Sequence, residues 1–391
     1  FFSLQAFRKW SETHKCSEAS YYKGLGTSSA SEAKEYFSDS KKHTVSILFK
    51  DKGCHDILSE SFGDSFADKR KEMIQNIDFE SFVDYEQEEV NVYNFCNNEL
   101  VHFYYANITR TIPGMDGLKP GQRKVLYTLF NDKKPIKYKV AELAAYTTGF
   151  AKYHHGEASL QETIAHMTQQ YCGANQIRYL KALSQSGTRH DDRKVHAQPR
   201  YMNTQIEEIT RLIFVEDEDP VLKYKEEDGK KVEPQCYAGT IPMILINGTK
   251  GIGTGYSTEF PTYGIHDVIE KCISLCEGKT CNNELTPKTE GFKGSIEKDG
   301  TSYIYSGVVN EYETWKEGTK TGTILRITEL PPQVWTNNLK ESIEKYDWVH
   351  EVVTYTKDED VDLRVYVQDE NIEKRKKEIQ KLVTKKYPQI T

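Results

Sequence analysis

The sequence predicts a multi-domain protein of mixed α/β and α+β class. The chain has 391 residues, enough for two or three domains of about 100–200 residues each. Apolar residues at helical spacing recur in the middle of the chain, whereas alternating apolar residues typical of strands dominate the last third. We therefore expect a helical region followed by a strand-rich region.

The composition excludes a helical membrane protein. Charged residues make up 28% of the chain, mean hydropathy is −0.69, and no apolar run approaches the ~20 residues of a membrane span. The net charge of −7 argues against a protein that coats nucleic acid over its whole surface. Basic residues nevertheless gather between Arg110 and Arg200, which favours a local electropositive footprint.

Neither the N-terminus nor the cysteines indicate a secreted or metal-binding protein. The opening FFSLQAFRKW lacks a signal-peptide layout and a methionine, so we expect an excised fragment. Of eight cysteines, only Cys272, Cys276 and Cys281 are close together, and a zinc site needs a fourth ligand and tighter spacing. We expect no metal site, and reduced thiols in an intracellular protein.

The first domain is expected to begin with a phosphate-approaching loop. Lys23, Gly24 and Gly26 combine a charge with a tight backbone turn, although a short glycine pair is a weak signal. A strand over 45–49 and a polar helix over 62–77 follow, and an acidic stretch over 78–89 then indicates the linker.

The next stretch has the layout of a winged-helix or helix-turn-helix module. An amphipathic helix over 100–108 precedes a Gly- and Pro-rich loop that delivers Arg110 and Lys119, and Pro120 opens a second helix. In that helix we expect Arg123 and Lys124 to point away from the core formed by the apolar positions Val125, Leu126, Leu129 and Phe130.

Two adjacent histidines, His154 and His155, precede a helix with an expected capping box of Ser159 and Glu162. With Gly156 freeing the backbone, two histidines at a helix entrance suit phosphate contact, and a purely structural role stays equally open.

A basic stretch over 185–204 ends in a single tyrosine, Tyr201. Thr204 and Glu207 suggest a capping box, so we expect a helix to begin directly after the tyrosine. A phenol is a poor nucleophile near neutral pH because its ordinary pKa is about 10, but the neighbouring Arg200 and a helix start would both favour the phenolate. This pattern suggests tyrosine attack on a phosphodiester; the alternative is a solvated surface loop.

A strand is expected over 241–247, followed by a glycine-rich loop carrying Ile252. An apolar side chain on an open loop suits a wedge inserted between DNA base steps, and the alternative is that it folds back onto its own strand. Strands over 323–328, 349–355 and 362–367 and a charged helix over 371–386 complete the chain.

Together these motifs resemble one family, the type IIA DNA topoisomerases of eukaryotic type. The matching strings occur in the family's order: YYKGLGTS, EAKEYFSD, DGLKPGQRKVL, KYHHGEASLQETI, GTR, PRY and IPMILINGTKGIGTGYST followed by Pro261. The resemblance implies a Toprim C-terminal remainder over 1–80, a linker over 81–94, a winged-helix domain over 95–240 and a tower or shoulder domain over 241–391.

The resemblance also assigns roles to individual residues. Tyr201 would form a 5′-phosphotyrosyl bond with DNA, Arg200 would stabilise the transferring phosphate, and Ile252 would intercalate and bend the duplex. The remaining matches would contact DNA, and they are Lys23, Arg110, Lys119, Arg123, Lys124, His154 and His155.

Parts of the family's machinery have no counterpart among the matched strings. The resemblance implies Mg²⁺ held by Toprim carboxylates upstream of this chain, ATP bound by an absent domain, an absent exit-gate coiled coil, and a homodimer acting on double-stranded DNA. The run DDRKVHAQP departs from the family pattern before Arg200. The departure indicates a divergent protist or a large DNA virus, hence a nuclear location if cellular and the host cytoplasm or virion if viral.

The implied reaction is two transesterifications around passage of a second duplex, with ATP driving the gates. We expect the isolated fragment to be inactive. Two alternatives remain open: a non-catalytic winged-helix module that binds or bends DNA, and a tyrosine recombinase or type IB enzyme that leaves a 3′-phosphotyrosine and needs no magnesium.

Overall fold

The computed structural model describes residues 1–16, 19, 28–132, 137–227, 229–279, 284–357, 359–368 and 370–388. Packing divides the chain into two units. The first comprises Phe1–Ile112 with Ile252–Ser257, and the second comprises Pro113–Gly251 with Thr258–Thr391. Lys23, Gly24 and Gly26 lie outside the described residues.

The first unit is mostly helical. Its helices are α1 (Leu4–Ser11), α2 (Ala30–Ser38), α3 (Lys52–Phe62), α4 (Ala67–Gln75), α5 (Val92–Phe95) and α6 (Val101–Thr111), and a π-helical segment, Cys96–Leu100, joins the last two. Strands β1 (Ser46–Leu48) and β2 (Glu89–Asn91) pair in parallel. Side chains start two of these helices, since Ser29 and Glu32 form a capping box on α2 and Asp51 accepts the amide of Cys54 on α3.

The N-terminal half of the second unit has the arrangement of a winged helix. Three helices pack together: α7 (Pro120–Phe130), α8 (Val140–Phe150) and α9 (Glu157–Thr168). Strands β3 (Tyr138–Lys139), β4 (Leu180–Ala182) and β5 (Asn203–Ile206) form an antiparallel sheet with β5 in the centre. The chain continues through α10 (Glu208–Ile213), the hairpin β6 (Tyr224–Glu227) and β7 (Lys230–Pro234), and α11 (Met243–Asn247).

The C-terminal half is strand-rich, as the sequence predicts. After the hairpin β8 (Thr249–Ile252) and β9 (Ser257–Phe260) and the helix α12 (Ile265–Cys276), two antiparallel sheets follow. One has the order β10 (Ser295–Asp299), β11 (Ser302–Ser306) and β16 (Thr384–Pro388). The other has the order β12 (Val308–Glu317), β13 (Lys320–Glu329), β15 (Leu363–Val367) and β14 (Val349–Thr354), with α13 (Thr336–Ile343) and α14 (Ile372–Leu382) beside them. Among the described helices, none is long and apolar enough to cross a membrane.

The mixed fold class is confirmed, but several predicted elements are wrong. Tyr201 precedes strand β5 rather than a helix, because Thr204 is buried in the sheet and its hydroxyl donates to the carbonyl of Lys181. Residues 243–247 are a helix, since Met243 and Ile246 bury one helical face. The helix α9 begins after Gly156 without the Ser159 cap, and the last predicted helix ends at Leu382.

The four domain ranges remain predictions of family boundaries. The packing units change at residue 112, well inside the range expected for the winged helix. Strand β2 lies within the expected linker and is paired to β1, so this part of 81–94 belongs to the first unit.

A buried ion pair lies within the largest core of the second unit. Arg123 donates from Nε and Nη2 to the two carboxylate oxygens of Asp116, both at 2.7 Å. The side chains are 4% and 0% exposed. The Asp116 carboxylate also accepts the amides of Leu118 and Tyr237, so its charge is fully hydrogen-bonded.

We expect Arg123→Ala to lower the free energy of unfolding by roughly 3–5 kcal/mol, because Asp116 would keep a buried charge without its partner. Chemical denaturation measures the change. The matched control is Lys293→Ala, whose exposed pair with Asp360 should contribute little because solvent screens it. Equal losses in the two variants would contradict a special role for the buried pair.

Candidate functional site

Internal contacts hold the first half of the basic stretch before Tyr201. Arg189 donates from Nη2 to Glu329 Oε1 at 2.5 Å, and both side chains are at most 5% exposed. His190 Nδ1 lies 3.0 Å from the Thr336 hydroxyl. These contacts attach the loop to the start of α13 and the end of β13, so neither residue is free to act as a surface charge.

A single glutamine fastens the middle of the same loop. The amide nitrogen of Gln169, which is 1% exposed, donates to the carbonyls of Ser186 at 2.8 Å and Arg193 at 2.7 Å. In return Arg193 donates to Gln169 Oε1 at 2.8 Å and to the carbonyl of His166 at 3.0 Å. The loop is thereby fixed to the C-terminal end of α9.

Tyr201 is presented at the end of this fixed loop. Its side chain is 69% exposed, while its neighbour Met202 is fully buried and anchors the backbone. The first amides of α8, from Val140 and Ala141, donate to the carbonyls of Met202 and Pro199. The helix N-terminus beside the tyrosine is thus that of the preceding helix α8 and not the one expected after Tyr201, and these two amides are already occupied.

Arg200 is the cation nearest in sequence to the phenol, and both side chains are exposed. Its guanidinium carbon lies 5.5 Å from the centroid of the Tyr201 ring. Lys194, 74% exposed, adds a second accessible cation to this loop. The arrangement can offer an aromatic hydroxyl and positive charge to an anionic substrate from one rigid segment.

The two predicted histidines occupy a tightly held turn between α8 and α9. Lys152 adopts a left-handed backbone conformation at φ 53°, and the ammonium of Lys124 donates to the carbonyl of Ala151 at 2.6 Å. His154 Nε2 lies 3.2 Å from Glu227 Oε2. His155 is exposed and packs edge-on against Tyr153 at 5.4 Å between ring centroids. This turn therefore presents both imidazoles at the surface of the second unit.

Lys119 immediately precedes α7, and its ammonium donates to the carbonyl of Lys250 at 2.8 Å. Burial, reinforced by the positive charge of Arg193, lowers the pKa of the Lys119 ammonium. Burial likewise lowers the pKa of the Arg193 guanidinium. Lys119 is thus in an electropositive environment, because the charge of Arg193 opposes protonation of its amine. Such an environment favours an anionic ligand.

Arg123 and Lys124 do not point away from the core, so that prediction is wrong. Arg123 is 3% exposed and held by Asp116, while Lys124 is 7% exposed and donates to Glu233 at 2.8 Å and Glu227 at 3.1 Å. Carboxylates elsewhere in the chain neutralise both cations. The helix periodicity alone could not reveal partners at such sequence distances.

The remaining predicted residues lie in the first unit. Arg110 is exposed in the last turn of α6, and Ile252 is 71% exposed at the tip of the β8–β9 hairpin. Ile252 therefore does not fold back into a core. Across the described ranges, no three His, Cys, Asp or Glu side chains form a group that could hold a metal ion.

Sequence reasoning missed Gln169, Glu227 and Glu329, which orient the predicted residues. Gln169 holds the tyrosine loop, Glu227 faces His154, and Glu329 holds Arg189. A polar residue at the end of a helix and two acidic residues on strands carry no local signal of such roles.

Two family profiles cover the chain almost end to end. The profile of the DNA gyrase/topoisomerase IV A subunit matches residues 110–389, and that of the C-terminal associated domain of TOPRIM matches residues 1–108. The chain belongs to the type IIA DNA topoisomerases.

Its relatives within the topoisomerases are of eukaryotic type. DNA topoisomerase 2 of Plasmodium falciparum is 39% identical over 88% of this chain and 24% of its own length. Human DNA topoisomerase 2-alpha is 38% identical over 88% of this chain and 23% of its own. The chain thus spans about a quarter of the length of these relatives.

A solved topoisomerase structure also matches. The crystal structure of the Plasmodium falciparum topoisomerase II DNA-binding, cleavage and re-ligation domain superposes with a TM-score of 0.76 at 35% identity, covering 99% of this chain and 54% of that one. The fold and the family predicted from the motifs are confirmed.

His166, at the end of α9 in this topoisomerase chain, should make stability depend on pH. Burial, with Arg193 and His196 adding to the effect, lowers the pKa of His166 to about 4, below the ordinary 6.5. The unfolded chain therefore binds the proton more readily, and stability should fall as pH drops from about 6.5 to about 4. We expect His166→Gln to weaken this dependence by at most about 3 kcal/mol over that range. Denaturation midpoints of both proteins between pH 4 and 7 measure it; parallel curves would contradict the assignment.

Proposed function

We propose that this chain is the DNA-cleaving and religating part of a type II topoisomerase that makes a transient double-strand break, passes a second duplex and reseals the first. The observation that carries the proposal is Tyr201: a highly exposed phenol on a backbone fixed on both sides, next to Arg200. A nucleophile that must meet one phosphorus atom gains from such positioning, because little freedom is lost when the substrate binds.

The proposed cleavage is a transesterification. The Tyr201 oxygen forms a bond to a backbone phosphorus as the phosphorus–O3′ bond breaks; the phenol loses its proton and the departing 3′ oxygen gains one. The product is a 5′-phosphotyrosine and a free 3′-hydroxyl. Religation reverses each bond change, so it needs no nucleotide. Arg200 would hold the negatively charged phosphate during both steps.

DNA contacts are proposed for the exposed or electropositive members of the predicted set. These are Arg110, Lys119, His154 and His155, with Lys23 by resemblance to the family. Arg123 and Lys124 support this set indirectly, since their buried ion pairs hold the start of α7 and the histidine turn. Ile252 is proposed as the wedge that enters a base step, because it is the exposed apolar residue at the hairpin tip.

Cofactors and assembly are proposed from the family. Type II topoisomerases generally use Mg²⁺ and ATP, yet the described residues of this chain contain no group of three His, Cys, Asp or Glu side chains that could hold a metal ion. We propose that other parts of the protein supply both, that it works as a homodimer, and that it acts in the nucleus; one relative, from Dictyostelium discoideum, is named mitochondrial.

Tyr201→Phe in the full-length protein should abolish the covalent protein–DNA adduct while leaving DNA affinity within about twofold. The variant loses one oxygen, whereas affinity depends mainly on phosphate contacts by Lys and Arg. Cleavage of a 3′-labelled duplex, followed by denaturant and protease, measures the 5′-linked adduct, and a 5′-labelled duplex in parallel checks its polarity. Tyr346→Phe, at another exposed tyrosine, is the matched control and should cleave normally.

An adduct retained by Tyr201→Phe would refute the nucleophile. A 3′-linked adduct in the unaltered protein would favour the recombinase or type IB alternative. Binding and bending without any adduct would favour a non-catalytic module.

The 391-residue chain alone should bind duplex DNA but not cleave it, even with added Mg²⁺. Metal ions contribute several kcal/mol to phosphoryl transfer, and each 1.36 kcal/mol is about tenfold in rate, so the loss should reach several orders of magnitude. Linear plasmid carrying 5′-linked protein would show that this chain holds its own metal site.

Binding of duplex DNA by the chain should weaken steeply as salt rises, and Lys119→Gln should reduce the slope of log affinity against log salt by about 0.9.

A further inference from the structure

The tip of the β8–β9 hairpin is packed against helices of the first unit, but the side chain of Ile252 at this tip is exposed. Ile252 is 71% exposed, yet the segment Ile252–Ser257 belongs by packing to the first unit. The amide of Gly253 donates to the carbonyl of Tyr256 at 2.8 Å, which closes the turn. The residues after Ile252 therefore pack against helices α4 and α6, while the side chain of Ile252 remains exposed. We call this packing site, on α4 and α6, the seat of the hairpin tip.

Asn107, on α6, forms hydrogen bonds with Thr254 of the hairpin tip. Its side-chain oxygen accepts the backbone amide of Thr254 at 3.0 Å and lies 3.3 Å from the Thr254 hydroxyl, which donates to it. One acceptor thus fixes both the backbone and the side chain of the residue two positions after the isoleucine.

Two glycines let the tip approach the helices closely. A Cβ on Gly253 would lie 3.1 Å from Ile108 Cγ1 and from the Thr111 hydroxyl, tighter than an ordinary van der Waals contact. Gly255 has φ +73°, and a Cβ there would lie 3.2 Å from the carbonyl of Ala67 on α4. A side chain at Gly255 would strain the backbone, whereas one at Gly253 would displace its neighbours by a few tenths of an ångström.

Tyr256 completes the seat from the other end of the tip. Its ring packs against the core formed by Ile74, Val101 and Tyr104. Its hydroxyl accepts from the side chain of Gln75 at 3.3 Å, and the ammonium of Lys71 lies 5.9 Å from the ring centroid. Helices α4 and α6 therefore hold the hairpin tip in place by hydrogen bonds and by close apolar packing.

We propose that Asn107 is a positioning residue for the DNA wedge: its contact with Thr254 holds the hairpin tip rigid so that Ile252 enters a base step instead of yielding. This inference rests on the proposed role of Ile252. A wedge on a loose loop is pushed aside by a stacked base step, whereas a wedge on a fixed tip transfers the strain to the duplex. Asn107 acts through Ile252 and is not itself expected to contact DNA.

The test measures DNA bending by energy transfer between dyes at the two ends of a short duplex, at saturating full-length protein. We expect Ile252→Ala and Asn107→Ala each to reduce the bent fraction several-fold, with DNA affinity changed less. Asn107→Asp keeps the acceptor oxygen, so this variant should bend the duplex as much as the unaltered protein does. Thr109→Ala, on the exposed side of the same helix, is the matched control and should have no effect.

The double variant separates positioning from a general loss of structure. If Asn107 acts through the wedge, Asn107→Ala combined with Ile252→Ala should bend no less than Ile252→Ala alone. An additive loss would overturn the inference, as would normal bending by Asn107→Ala. Normal bending by Ile252→Ala would instead refute the proposed wedge, so the two failures are distinguishable. Thermal unfolding of Asn107→Ala should match that of Thr109→Ala.

Discussion

The architecture around the candidate site depends on keeping one buried carboxylate satisfied. Asp116 lies in the largest core and accepts four hydrogen bonds, two from Arg123 and one each from the amides of Leu118 and Tyr237. These bonds fix the loop before α7, the start of that helix and the segment after β7. A buried carboxylate needs all of these hydrogen bonds, because losing any of them would leave an unsatisfied polar group in an apolar interior. The placement of Lys119, at the residue just before α7, follows from that constraint.

The basic residues divide into two groups with different tasks. Arg123, Lys124 and Arg189 are almost fully buried against acidic partners and build the framework. Arg110 and Arg200 remain accessible for an anionic ligand. A chain with a net charge of −7 can still bind a polyanion, since the local field of accessible cations, and not the sum of charges over the chain, acts on a nearby ligand.

Much of the fold could be predicted because the decisive signals are local. Pro120 opens α7, alternating residues mark β13 and β15, and the motif series identifies the family. The failures have a common cause. Strand β5 and helix α11 take their form from tertiary partners, Lys181 in one case and the surrounding core in the other, and short apolar runs do not distinguish helix from strand. Tyr201 could be singled out from sequence; Gln169, which holds its loop, could not, because its contacts reach Ser186 and Arg193 through the folded chain.

The discontinuity of the first unit has a consequence for biogenesis. Asn107 and Thr254 are 147 positions apart, so their contact cannot form during synthesis until the entire segment between them has emerged from the ribosome. Until then α4 and α6 expose the apolar surface that Tyr256 later covers. Contacts between positions so far apart in sequence slow folding, so this apolar surface stays uncovered for longer during synthesis.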